Sequence, residues 1–460
     1  MRVWLCYILP TVIFRAHLLA TPLWYNAALA LLKPIYQSRI RKRAEHPEQL
    51  QQELLERFGP FQPAKNLHAI WFHVVSVGET NAAQPLIEHY LKAGHPVLVT
   101  NTTKTGQARA KSLFLKAPYL DLFQAVYLPA DQVHLIREFY QKYQPKLLAL
   151  VETELWPNLI DQAQHFQVPC LLINARLSEK SAKGYAKVKG LTRGMLQNLQ
   201  QVLAQDLATQ QRFIALGMPS ERTSVVGNIK FDISAPEDFV EQAAQLQQTW
   251  QLVHRKIITL ASTHAPEEQQ LLTALKPYFA EHPELLCIVI PRHPERFDEV
   301  AVQVQKLQLN MQRRSLAEVI QLDTQVYLAD SMGEMWLWYA LSQACYVGGS
   351  LNEPGGGHNI LEPLVLGVAT VIGPNYFNFQ TIVDDFLTAQ AVLLGQDEGQ
   401  VVQHLIECIE QPALAKRLND NAQQVLAQNR GSLQQHIAVI DRYLKTDQHA
   451  LPHLDSLKKV

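Results

Sequence analysis

Five of the chain's 20 glycines fall within Gly348–Gly357, and His358, Asn359 and Glu362 come directly after. The run lies between a short apolar segment, Ala344–Val347, and an apolar stretch beginning at Ile360. Strand, glycine loop and helix N-terminus together present backbone N–H groups to an anion. Asn359 is placed to cap that helix. Glu362, about one turn in, is placed to take a pair of ribose hydroxyls. A tight turn closing a βα unit would use the same glycines, but the added His, Asn and Glu favour a nucleotide site.

Other polar groups recur directly after short apolar runs. In the first half they are Ser76–Glu79, Asn101–Gly106, Glu152-Thr153-Glu154 and Asn174-Ala175-Arg176. Glu79 has the chemistry of a general base acting on an alcohol, or of a carboxylate capping the following helix. Pro85 fits a helix best in its first turn, so Glu79 is expected on the loop just ahead. Glu152 and Glu154 have no Asp-x-Asp or His partner nearby and make a poor metal pair. Glu152, nearer its strand, suits hydrogen bonding in a transition state. In the second half come Ser262-Thr263-His264, Pro291–Arg296 and Asp330–Glu334. Arg292, directly after an apolar run, can reach a phosphate bidentately. His264 and His293, each taken alone, read as structural hydrogen bonders. Arg176, Lys180, Lys183, Lys187, Lys189 and Arg193 form a basic stretch. It is either a solvated helix face or a hold for a phosphorylated lipid head.

The elements that must position these groups are apolar runs alternating with helical patterns. Ile70–Val75, Pro96–Thr100, Ala125–Leu128, Leu147–Val151, Cys170–Ile173, Gln201–Ala204 and Ser224–Val226 read as one strand series. Ile257–Leu260, Leu286–Ile290, Val326–Leu328, Ala344–Val347, Ala369–Ile372 and Ala391–Leu394 read as a second. Such alternation predicts parallel sheets covered on both faces, with ligands beyond the carboxyl ends of the strands. The reading is an α/β protein of two doubly wound, Rossmann-like domains, 46–235 and 236–445, with a tail at 446–460. No Walker lysine motif is present and the glycine spacing is not that of a dinucleotide fingerprint, which argues against ATP hydrolysis and NAD chemistry.

A net charge of −1 gives no global pull toward nucleic acid. Five scattered cysteines without a C-x-x-C pair fit a reducing compartment and no structural zinc. Residues 1–45 differ from the rest. Val3–Phe14 and Leu18–Leu32 are apolar runs separated by Arg15 and His17, with Arg39, Arg41, Lys42 and Arg43 beyond them. Neither run reaches the roughly 18–20 uninterrupted apolar residues of a spanning helix. The expectation is a membrane anchor, spanning obliquely or lying in one leaflet, with the basic flank keeping the two domains in the cytosol.

Several segments, in this order, resemble the 3-deoxy-D-manno-octulosonic acid (Kdo) transferases of Gram-negative bacteria. They are His73–Glu79, Glu152–Asn158, Asn174–Tyr185, Gly227–Asp232, Ser262–His264, Pro291–Arg296, Asp330–Glu334 and Gly348–Pro363. One departure is the link Ser350–Gly357, which is longer than is usual in that family. The resemblance implies a GT-B fold, two Rossmann-like domains facing a cleft, with the last helix able to cross back to the first domain. It implies CMP-Kdo as donor and the lipid A precursor, lipid IVA, as acceptor at the cytoplasmic face of the inner membrane, with no cofactor and no metal. It implies Glu79 as proton acceptor and Glu152 and Lys230 as transition-state stabilisers. CMP would lie against Pro291, Arg292, Met332, Gly333, Glu334, Asn359, Ile360, Leu361 and Glu362. Lys230 is singled out by the resemblance alone. The alternatives are another GT-B transferase using a nucleotide sugar at the membrane, and a non-catalytic nucleotide-binding membrane scaffold. The presence of Glu79 and Arg292 weighs against the scaffold.

Overall fold

Leu147–Val151, Leu-Leu-Ala-Leu-Val, is apolar throughout and buried at every position. A strand without polar alternation belongs in the middle of a parallel sheet, where both faces are covered. In the computed structural model, which describes residues 21–43 and 46–446, it is the fourth strand of such a sheet. The strands are β1 (Ile70–His73), β2 (Val97–Asn101), β3 (Phe123–Tyr127), β4 (Leu147–Val151), β5 (Cys170–Ala175), β6 (Gln201–Ala204) and β7 (Thr223–Val225). They run parallel in the order β3-β2-β1-β4-β5-β6-β7.

A second parallel sheet is built from β8 (Lys256–Thr263), β9 (Leu285–Pro291), β10 (Met311–Arg313), β11 (Val326–Leu328), β12 (Ala344–Val347), β13 (Ala369–Ile372) and β14 (Leu393–Leu394). Its order is β10-β11-β9-β8-β12-β13-β14. β10 is an edge strand that hydropathy does not reveal, because Gln312 and Arg313 interrupt it and an edge has only one neighbour to satisfy.

Period-two alternation sends side chains to opposite faces, so each sheet carries two cores. Leu148 and Leu150 pack with Trp71 and Leu172 on one face of the first sheet. Leu147, Ala149 and Val151 pack with Phe72, Val99 and Ile173 on the other. In the second sheet, Ile257 and Val347 belong to one core, and Ile258, Leu260 and Tyr346 to the other. Each fully buried Leu, Ile or Val contributes roughly 1.5–3 kcal/mol relative to exposure.

The chain divides into two compact units, one of residues up to Lys230 together with those from Gly431 onward, the other Phe231–Arg430. The junction lies five residues before the expected 235/236 boundary. The C-terminal part of the chain is three helices, Glu398–Glu410, Pro412–Asn429 and Ser432–Thr446. Pro412 in a first turn and Gly431, at φ +83°, separate them. The last supplies Ile437, Val439, Ile440 and Leu444 to a core of the first sheet.

Of the apolar N-terminal runs, Val3–Phe14 lies outside the described residues. Leu23–Lys42 is a helix with Pro34 inside it and Arg39, Arg41 and Lys42 in its last turn. Leu23, Trp24, Leu31, Leu32 and Ile35 project into solvent, Leu23 at 87% and Leu31 at 78% exposure. Among the described residues no helix is long and apolar enough to cross a membrane. Two bonds hold this helix to its own unit: the Tyr25 hydroxyl donates to Asp131 (2.9 Å), and Asn158 Nδ2 donates to Asn26 Oδ1 (2.8 Å). Asp131 also accepts the N–H groups of Asn158 and Leu159. Burial pushes its carboxyl up to about 7.

Candidate active site

Strand order reverses between β1 and β4 in the first sheet and between β8 and β12 in the second. Loops leave in opposite directions at such a switch point and open a crevice at the carboxyl ends. Glu79 comes after β1 and Glu152 after β4, so two of the expected catalytic residues flank the first switch point.

Glu79 lies on the helix Val77–Lys92, not on a loop ahead of it. Pro85 falls in the interior of this helix, beyond its first turn, and the first turn itself is closed by side chains. Ser76 Oγ accepts the Glu79 N–H (3.4 Å), and Glu79 Oε2 accepts the Val75 N–H (2.7 Å). This is close to a capping box. Glu79 is therefore a capping carboxylate as well as a candidate base. Capping does not keep it acidic. Burial pushes its carboxyl up to about 8, the Val75 N–H pulls it back in part, and the charges of Glu152 and Glu154 push it up further.

Glu152 lies in the left-handed region at φ +64°, as does Asn174 at φ +47° in the next strand, β5. Such conformations cost roughly 1–3 kcal/mol each for ordinary residues and cluster at functional sites. Glu152 Oε1 accepts the ammonium of Lys230 at 2.8 Å, with both side chains half-buried. Lys230 sits in the short 3-10 turn Ile229–Phe231. Asn174 Oδ1 accepts the Ile229 N–H (3.1 Å), and Asn228 Oδ1 accepts that of Lys230 (3.0 Å). Asn174 thus places the turn that delivers Lys230, while its own N–H donates to His436 Nε2 (2.9 Å). Neither role shows as a motif, because the partners are 55 and 262 residues away. Glu154 accepts the Trp156 indole N–H at 2.9 Å and lies 3.8 Å from buried His73.

The basic stretch forms the helices Glu179–Lys187 and Lys189–Asn198. Lys187 and Lys189, with Trp24, Leu191 and Met195, line a cavity of about 380 Å³ in the same unit.

In the second unit Pro291 is buried at the end of β9, and Arg292 is exposed directly after it. Among the described residues no hydrogen bond or ion pair engages the Arg292 guanidinium. Its charge does reach His358 and Glu362. Burial, then Arg292, then His264 and His293 hold the His358 imidazole neutral, down to about 4. Burial raises the Glu362 carboxyl, while Asn359 and Arg292 counter it in part.

Two expectations for this half need correction, the depth of Glu362 in its helix and the capping position of Asn359. The helix after the glycine loop is only Leu361–Val365, so Glu362 is its second residue. Asn359 does not occupy the N-cap position, which is Ile360; it accepts the Leu361 N–H (3.1 Å) and donates to Glu362 (3.3 Å). The side chains of Ile360 and Leu361 are core residues, 1% and 2% exposed, leaving only their backbone for a ligand. Glu334 is engaged already: Arg314 donates to both its oxygens (3.1 and 2.6 Å), as does Ser331 to one. Burial would raise Glu334, but these donors outweigh it and hold the carboxyl below its ordinary range. Met332, 64% exposed, and Gly333, at φ +86°, leave their backbone open beside it.

The glycine loop departs furthest from expectation. Its N–H groups at Gly349, Ser350 and Leu351 are turned onto the buried carboxylate of Glu267. Those of Gly356 and Gly357 go to the carbonyls of Asn375 and Gly349. The anion in this cradle is the protein's own.

Comparison with known proteins gives a consistent result. A family model for 3-deoxy-D-manno-octulosonic-acid transferase (kdotransferase) matches residues 52–233. The 3-deoxy-D-manno-octulosonic acid transferase of Haemophilus influenzae is 34% identical over 428 residues, 92% of this chain and 98% of that one. The Bordetella pertussis protein of the same name is 34% identical over 397 residues, 84% and 90% of the two chains. Among solved structures, the C-terminal CMP-Kdo binding domain of WaaA from Acinetobacter baumannii is 60% identical, covering 42% of this chain and 99% of that one (TM-score 0.41). A glycosyltransferase from Rickettsia africae is 13% identical over 83% of this chain and 99% of that one (TM-score 0.50), a likeness of fold that fits a GT-B-like arrangement of two parallel sheets. With such identity running across nearly the whole length of its relatives, this chain belongs to the 3-deoxy-D-manno-octulosonic acid transferase family of glycosyltransferases.

Proposed function

We propose that the protein transfers Kdo from CMP-Kdo to the lipid A precursor, lipid IVA, in lipopolysaccharide core biosynthesis. Transfer inverts the anomeric carbon and uses no metal ion. It takes place at the cytoplasmic face of the inner membrane, where the helix Leu23–Lys42, with its apolar exposed residues and basic end, provides an anchor.

The observation that supports this reading most is the raised carboxyl of Glu79 beside the Glu152–Lys230 pair at the β1/β4 switch point. Glu79 takes the proton of the acceptor hydroxyl as its oxygen attacks the anomeric carbon. The bond from that carbon to the phosphate oxygen breaks, and CMP leaves with the electron pair. A carboxyl titrating near 8 is a stronger base than an ordinary carboxylate once ionised. Lys230, held by Glu152, supplies positive charge where negative charge develops. On the donor side Arg292 meets the phosphate, with the backbones of Met332, Gly333, Ile360 and Leu361 and the side chains of Asn359 and Glu362 around the nucleotide.

The test is mass spectrometry of a reaction containing the full chain, a tetraacylated lipid A precursor and freshly generated CMP-Kdo, with no added metal. The expected product is heavier by whole Kdo units. Absence of both product and CMP binding would remove the donor assignment. Glu79→Ala is expected to lower transfer by about 10²–10⁴-fold while CMP binding survives.

A further inference from the structure

Glu267 is fully buried just beyond the end of β8, and its carboxylate accepts five neutral donors. Oε2 takes the N–H groups of His264 (2.9 Å) and Gly349 (2.8 Å). Oε1 takes the N–H groups of Ser350 (3.1 Å) and Leu351 (3.0 Å) and the hydroxyl of Tyr346 (2.7 Å). Two glycines make this approach feasible. A Cβ at Gly348 would stand 2.9 Å from Glu267 Oε2 and 2.7 Å from the Ser262 carbonyl oxygen. At Gly349, whose φ is +69°, a Cβ would stand 3.0 Å from the His358 ring and 3.4 Å from that of His264.

Those two imidazoles are bonded to each other. Their Nε2 atoms are 2.8 Å apart and their planes 9° from parallel. One ring must donate while the other accepts, so the bond fixes both tautomers. His293 packs edge-on against His264. Carboxylate, glycine loop and imidazole pair therefore form one assembly, spanning the loops after β8 and β12.

We propose that Glu267 is a positioning residue for the donor half of the site, standing in for an anion inside the glycine loop and so holding the His264–His358 pair beside Arg292. The inference rests on the reading that the Arg292 edge takes the nucleotide phosphate. A free phosphate in the loop would have to displace a covalently attached carboxylate, so the phosphate is met by the imidazoles and Arg292 instead. Glu267→Gln puts an NH2 group where one oxygen stood. At least two loop donors then lose their acceptor, whichever way the amide turns.

The test uses the full chain with isotope-labelled histidine, and compares wild type, Glu267→Gln and Tyr346→Phe, which removes one of the five donors. In the ligand-free protein, NMR titration should find His358 resisting protonation in wild type. In Glu267→Gln it should move toward the ordinary value of about 6.5. Calorimetry should show CMP binding about tenfold weaker in Glu267→Gln, with a smaller loss in Tyr346→Phe. A folded Glu267→Gln whose His358 titrates as in wild type overturns the proposal; His264 does not decide it, because the Glu267 charge acts on that imidazole directly. If Glu267→Gln does not fold, an unmoved His358 titration in Tyr346→Phe overturns it instead. A wild-type protein that binds no CMP would sink the donor reading, while the titration would still decide the positioning role.

Discussion

Glu79 combines two roles that pull in opposite directions. As a capping carboxylate it closes the first turn of Val77–Lys92. As a half-buried acid near Glu152 and Glu154 it resists ionisation. If it is the base, kcat/KM should rise with pH and level off above about 8, and the residual rate of Glu79→Gln should lack that limb. Stability carries the opposite sign. An unfolded glutamate titrates at about 4.3 and the folded one near 8, so the folded state binds the extra proton between those values. This group's contribution to stability therefore falls as pH rises through that window. Glu79→Gln should flatten the decline of Tm across it, as differential scanning fluorimetry at several pH values would show. A variant that loses activity yet gains alkaline stability marks a site where function outweighs stability.

At the scale of elements, the helix Leu23–Lys42 is unusual in exposing large apolar residues while being tied to its unit through Tyr25 and Asn26. A surface helix normally turns such residues inward. If they enter a membrane interface, the double change Leu31→Glu and Leu32→Glu should weaken binding to anionic vesicles about tenfold or more, since each buried leucine is worth roughly 1.5–3 kcal/mol. Vesicle flotation would measure it, and unchanged partitioning would remove this helix from the anchor. The change is expected to leave Tm nearly unmoved, because Leu31 is 78% and Leu32 52% exposed already.

For the whole molecule, the notable feature is that the chain leaves its first unit at Lys230 and returns at Gly431. The returning helix Ser432–Thr446 fills a core and brings His436 to the Asn174 N–H. Burial holds that imidazole neutral, down to about 4, which keeps Nε2 free to accept. A fragment ending at residue 230 should consequently fold poorly on its own. Adding a peptide of residues 431–460 should restore cooperative melting, and circular dichroism with and without the peptide would test this. Full stability of the shorter fragment would show that the returning helix is dispensable.

The sequence by itself determined the two parallel sheets. Apolar runs such as Leu147–Val151 and Ala344–Val347 coincide with strands because a strand buried on both faces is mostly apolar. It also determined which loops carry the chemistry, since polar residues directly after such strands fall at one sheet edge. Only the tertiary structure decided what those polar residues do. Glycine spacing announced an anion cradle, but the anion is Glu267, which lies 82 residues from Gly349 and reaches it only because β8 and β12 are neighbours. Likewise Glu334 is paired with Arg314, and Lys230 is aimed by Asn174. Local pattern encodes burial and strand ends, because both depend on residues close in the chain. Hydrogen-bond partners across a sheet are set by strand order, which no local pattern records.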